Sequence, residues 1–172
     1  MSQLAHIPES EMKEILMLQE RLKLMDSQEK CKESFMEYIR YIWPGFIEGD
    51  HHRIIAEKLT EVAQGKCRRL IVNMPPRHTK SEFASVYFPS WVMGLKPEMK
   101  IMQTTHTADL SINFGRKVRN LMDTPEYNNI FSNVSLASDS KSAGKWQTSA
   151  GGEYFAAGVG GAIAGRGADL LI

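Results

Sequence analysis

Apolar residues recur at helical spacing from the start of the chain. Met12, Ile15, Leu18, Leu22 and Met25 follow Pro8 and Ser10, which predicts an amphipathic helix with a capped start that ends near Asp26 or Ser27. Phe35, Tyr38, Ile39 and Ile42 predict a second helix, stopped at Trp43 because Pro44 lacks an N–H and Gly45 favours a turn. Ile55, Leu59 and Val62 place a third, ended by Gly65. The period then changes: Leu70, Ile71 and Val72 form a short apolar run that suits a buried parallel strand, followed by a proline-rich turn. From Lys80 to about Leu95 the positions of Phe83, Val86, Tyr87 and Trp91 are helical again, with Pro89 inside to kink the helix or interrupt its hydrogen bonding.

Residues 100–105 read as a second strand, and Leu110, Phe114, Val118 and Leu121 then draw one apolar stripe on a helix capped by Thr107. Residues 125–145 read as loop. Residues 146–149 and 153–157 predict a β-hairpin across Ala150-Gly151-Gly152, followed by a glycine-dense stretch, 158–167, and by a last apolar run, 169–172, that starts another strand. Strand, helix, strand, helix is the order of an α/β sandwich with parallel strands joined by right-handed crossovers.

With 172 residues, 42% hydrophobic and 24% charged, the chain has the balance of one folded domain and neither a disordered nor a fibrous composition. Lysine plus arginine number 21 against 20 acidic residues, so no global positive field draws the protein to nucleic acid and any such contact is local. Cys31 and Cys67 stand far apart, which argues against a zinc site or a disulfide framework and fits a reducing compartment. Met1 to His6 run into an acidic stretch, unlike a secretory leader, and no apolar run approaches the roughly 20 residues a membrane helix needs.

The chemistry concentrates where the period changes. Asn73-Met74-Pro75-Pro76-Arg77-His78-Thr79-Lys80-Ser81 sets Lys-Ser between the apolar run and a helix start, where backbone N–H groups and the helix dipole attract an anion. There a lysine reaches β- and γ-phosphates and a serine hydroxyl ligates magnesium. Met74 and Thr79 occupy both glycine positions of the usual phosphate-loop pattern, and Pro75 and Pro76 lack donors, but they sit in the first half of the loop, while the donors that wrap the β-phosphate come mainly from the second half, His78 to Ser81. The candidate phosphate-binding residues are Pro76, Arg77, His78, Thr79, Lys80 and Ser81. The plainer alternatives are a helix start that carries a lysine, and for Arg77 a solvated cation in place of a group beside the γ-phosphate.

These residues, with Phe88-Pro89-Ser90-Trp91, Thr107-Ala108-Asp109-Leu110, Pro125-Glu126-Tyr127, Trp146-Gln147-Thr148-Ser149-Ala150-Gly151-Gly152 and the glycine-dense run through Gly165-Arg166-Gly167 to Ile172, resemble in their order the ATPase region of the large terminase of tailed phages. The likeness covers roughly His51 to the end. It implies an additional-strand P-loop NTPase fold, a three-layer sandwich with a parallel sheet. Residues 1–49 would be a helical lead-in and 50–172 a partial, incomplete ATPase domain, with the acidic Walker B pair and a nuclease domain absent. It also implies ATP and Mg2+ as cofactors, and double-stranded DNA, a portal and a small terminase subunit as partners. The setting it implies is a homo-oligomeric ring in the host cytoplasm, with no membrane, and a fragment catalytically deficient alone.

The resemblance further implies catalytic roles for Arg77 and Lys80, and for Arg166 as an arginine finger toward a neighbouring subunit. Arg166 equally reads as a pin for the glycine-dense segment or a contact to DNA phosphate. Asp169 lies at the wrong end of its apolar run for Walker B and reads as a strand start. His51 and His52 fall where the family contacts adenine, although surface histidines are the simpler reading. Arg116, Lys117 and Arg119 complement their helix dipole or meet DNA phosphates, and Cys67-Arg68-Arg69 is a basic corner without aromatic interleaving. Outside this family, the pattern also suits a helicase-like ATPase or a non-enzymatic DNA-binding adaptor.

Overall fold

A computed structural model describes residues 8–161, 163 and 165–172. Met1 to His6, read above for a leader, and Ala162 and Ala164 of the glycine-dense stretch lie outside them. Three helices open the chain: α1 (Glu9–Glu33), α2 (Phe35–Ile42) and α3 (Asp50–Ala63). Next comes a helical rod made of α4 (Lys80–Glu82), a π-helical turn (Phe83–Tyr87) and α5 (Phe88–Leu95). Strand β1 (Lys100–Thr105), α6 (Ala108–Met122), α7 (Pro125–Ile130), β2 (Leu136–Lys141), β3 (Lys145–Thr148), β4 (Glu153–Gly158) and β5 (Leu170–Leu171) follow.

The five strands lie in the order β2-β3-β4-β1-β5. β1 is parallel to β4 and β5, whereas the β2–β3 and β3–β4 pairs are antiparallel, so the expected parallel sheet is mixed, with the expected hairpin forming the β3–β4 pair. The turn at Ala150-Gly151-Gly152 reverses the chain, with Gly151 at φ +87, where an L side chain is strained. That reversal forces β3 to run against β4. Residues 125–145 contain a helix and a strand and are not loop: Thr124 Oγ1 accepts from the Tyr127 N–H, Pro125 sits at the first helical turn, and β2 pairs with β3.

Two helical stripes differ from their sequence reading. α1 continues through Glu33, its N-cap Pro8 makes no side-chain cap bond, and Met12, Ile15, Leu18, Leu22 and Met25 are exposed. Leu16, Met17 and Leu24 are exposed as well, so apolar residues surround this helix and no single face is buried. On α6 the cap is as expected, with Thr107 Oγ1 accepting from Leu110 N–H, but the stripe is rotated: Leu110 is exposed while Ser111, Phe114, Gly115, Val118 and Met122 are buried.

The helices pack on one face of the sheet. Thr105 Oγ1 lies 2.7 Å from Ser111 Oγ of α6, and Gln103 Nε2 donates to Ser85 Oγ of the π-helical turn at 3.3 Å, both from the same side of β1. The connection from β4 to β5 contains no helix among the described residues, and its Arg166 lies over Phe155 on the opposite side. Among the described residues helices therefore cover one face of the sheet, where the three-layer expectation had them on both.

Two aromatic groups anchor the core. Phe35 touches Phe83, Phe88 and Trp91 with ring centroids 5.4 to 5.7 Å apart, joining α2 to the rod. Trp146 and Tyr154 stack at 4.9 Å, both fully buried, and Trp146 Nε1 donates to the Gly115 carbonyl at 3.1 Å. A Cβ on Gly115 would stand 2.6 Å from the Ala143 carbonyl oxygen, so only glycine lets α6 approach this closely. Trp146→Ala is expected to lower unfolding free energy by about 3–5 kcal/mol in urea denaturation, while Leu22→Lys on α1 changes it by less than about 0.5 kcal/mol.

Candidate functional site

Residues 70–74 alternate in burial: Leu70, Val72 and Met74 pack against the core, whereas Ile71 is 85% exposed. The alternation is that of a strand, yet the segment pairs with none, which corrects the expectation of a buried strand ahead of the turn. Between it and the sheet edge at β5 lies a cleft of about 1070 Å³, lined by Leu70, Val72, Lys80, Ser81, Leu170 and Ile172 among others. Apolar pattern specified the packing of one face. No neighbouring strand comes within reach to build the ladder.

Beyond Met74 the chain turns sharply. Arg77 and Thr79 take left-handed backbone, φ +65 and φ +58, which side-chain-bearing residues adopt only when something holds them. Lys80 is the first helical residue, and its Nζ leans back over the turn, 3.4 Å from the Met74 carbonyl oxygen. Among the described residues, the N–H groups from Arg77 to Glu82 donate to no acceptor in the chain. They are the orphan donors of a turn and of a helix start, concentrated around one ammonium group. Ser81 is exposed beside them, and Glu82 is drawn away by Lys117 at 2.5 Å.

The rod behind the turn is held in place by the same residues that make it apolar. Phe83, Val86, Phe88, Trp91, Val92 and Met93 are buried. Pro89 has no N–H, and the wider π-helical turn just before it, Phe83–Tyr87, is where the chain absorbs that loss, as the sequence predicted.

His52 is the residue that the sequence reading undervalued. It is 6% exposed and not a surface histidine. Its Nδ1 accepts from the Gly49 N–H at 2.9 Å, so Nε2 carries the proton and donates to Thr79 Oγ1 at 2.6 Å. Thr79 in turn donates to the His78 carbonyl at 2.7 Å. Burial lowers the pKa of His52, nearby His51 and His78 push the same way, and Glu48 opposes them. The detectable sequence signal was position: His52 is the third helical residue, where a side chain can cap the backbone of Gly49.

Glu48 ties this corner to α2 and α3. Arg40 donates to it through Nε at 2.8 Å and Nη2 at 2.9 Å, and Arg53 forms a second pair. These bonds, Arg40 first, hold the Glu48 carboxyl down to about 2.

Other candidates lie elsewhere. Arg166 sits over the Phe155 ring, 4.0 Å from its centroid, and 3.3 Å from Glu153 Oε1, which places it on the second face of the sheet as a pin for the glycine-dense segment. Asp169 stands just ahead of β5, its Oδ2 accepting from the Lys100 N–H at 2.8 Å. Lys117 is paired with Glu82, so the basic patch on α6 is partly neutralised.

The unpaired donors and the Lys80 ammonium concentrate positive charge at one turn. Among the described residues no group of three or more His, Cys, Asp or Glu could hold a metal ion. No helix among the described residues is long and apolar enough to cross a membrane. The chain matches no family model, no curated protein and no solved structure.

The Glu48 pairs predict an acid response. Its folded value lies below the ordinary 4.5, so their contribution to stability is present above pH 4.5 and lost as the pH falls toward 2. Glu48→Gln is expected to unfold at lower urea concentration at neutral pH and to show a flatter stability profile across that acid window.

Proposed function

We propose that residues 74–81 form the phosphate-binding turn of a P-loop ATPase, with ATP and Mg2+ as its ligands. The observation that carries this reading is Lys80, the first residue of the rod, bent back over a turn whose N–H groups are unpaired. Lys80 would hold the β- and γ-phosphates, Ser81 would ligate magnesium, and Arg77, exposed at the tip of the turn, would counter charge developing on the transferred group. Magnesium, when bound, would supply charge neutralisation to the phosphates. The chain's own part is to orient the triphosphate by fixed backbone donors.

The order of motifs supports the finer reading, the ATPase region of a large terminase, a motor that translocates double-stranded DNA into a procapsid. In that setting a ring of subunits, a portal and a small terminase subunit are its partners. Arg166 would act on a neighbouring nucleotide only after leaving Phe155 and Glu153.

Titration with a fluorescent ATP analogue tests the site. Lys80→Ala is expected to weaken binding about ten- to hundredfold, the scale of one charge-assisted hydrogen bond. Ser81→Ala should abolish the gain that magnesium gives without altering binding in its absence. Equal affinity of wild type and Lys80→Ala would sink the assignment, and a chain that binds DNA but no nucleotide would favour the adaptor reading.

A further inference from the structure

We propose that His52 is the positioning residue of the phosphate turn: its neutral imidazole holds Thr79 in the left-handed conformation that the turn requires, in a position where the usual pattern has glycine. The proposal rests on the phosphate reading and adds to it the residue that makes a threonine workable there.

A β-branched residue at φ +58 is strained, because its Cβ substituents crowd the backbone. Thr79 is held there by a directional relay. Gly49 N–H donates to His52 Nδ1, His52 Nε2–H donates to Thr79 Oγ1, and Thr79 Oγ1–H donates to the His78 carbonyl. Every donor faces an acceptor only if His52 is neutral and protonated on Nε2. A second proton on Nδ1 would point at the Gly49 N–H and break the relay at its root.

The packing fixes the ring from all sides. Phe46 meets it edge-on at 4.8 Å and Phe83, the start of the buried rod, lies 5.2 Å away. The titratable groups around it are His51 on α3, His78 on the turn and Glu48 ahead of α3, the last already paired with Arg40 and Arg53. His51 and His78 disfavour a charge on His52, and Glu48 favours one less strongly than burial opposes it. Protonation of His52 is therefore pushed below the ordinary 6.5, and the relay is intact at neutral pH.

Two substitutions at position 79 separate this role from ordinary packing. Thr79→Val keeps the branched side chain and removes both hydrogen bonds, whereas Thr79→Gly removes the strain and with it the need for His52.

The test is a titration of the 172-residue chain with a fluorescent ATP analogue at about pH 7.5 and about pH 5.5. At neutral pH, His52→Phe and Thr79→Val should each weaken binding about tenfold, the scale of one lost hydrogen bond. Thr79→Gly should bind more tightly than Thr79→Val, and His52→Phe added to Thr79→Gly should have no further effect. On acidification the wild type should lose more affinity than Thr79→Gly.

If His52→Phe does not fold by circular dichroism, the contrast between Thr79→Val and Thr79→Gly decides. Additive losses in the double variant, or Thr79→Val binding like Thr79→Gly, would overturn the proposal. Lys80→Ala serves as the control for the phosphate reading: unchanged binding there overturns that reading and the affinity claim together. Urea denaturation of the same variants then still reports whether His52 and Thr79 are coupled.

Discussion

A helix buried on nearly all sides leaves its unpaired backbone donors only at its ends. The rod from Lys80 to Leu95 is in that position: Phe83, Phe88, Trp91, Val92 and Met93 are enclosed by α2, α6 and α7. Its polar anchors point the same way. Trp91 Nε1 donates to the Cys31 carbonyl, Tyr38 Oη and Ser90 Oγ share a hydrogen bond, and Tyr127 Oη donates to the Ser90 carbonyl. With the rod fixed by four elements, its first turn is fixed too, and so are the donors around Lys80.

The turn ahead of the rod is held by a different means. No sheet ladder grips residues 70–74, so the burial of Leu70, Val72 and Met74 sets their position and the His52 relay sets the backbone of Thr79. Hydrogen bonds from a buried side chain do here what a strand on one side and a glycine on the other would do together. The arrangement couples α3 to the turn, because the same imidazole caps Gly49 at the start of that helix.

The two sheet faces have separate tasks. One is closed by α6, which approaches through Gly115 onto the Trp146–Tyr154 stack. The other carries Glu153 and Phe155, on which Arg166 is laid by an ion pair and a ring contact. Both contacts are partly exposed, so they hold the glycine-dense segment weakly compared with core packing.

Much of this was legible along the chain. Helical period placed α2, α3, the rod and α6; the glycines at 151 and 152 placed the hairpin; and Pro89 foretold an irregular turn, because each of these signals acts on its own few residues. The sequence marked Lys80 and Ser81 for the same reason, as a cation and a hydroxyl at a helix start after an apolar run. What the chain could not reveal by itself depends on neighbours distant in sequence. Whether residues 70–72 find a ladder, which side of α6 is buried, which face of the sheet the helices cover, and that His52 reaches Thr79 across 27 residues were all decided by tertiary packing. Local pattern encodes a preference for burial or for a backbone angle, but a hydrogen bond between remote groups exists only once the fold has brought them within about 3 Å.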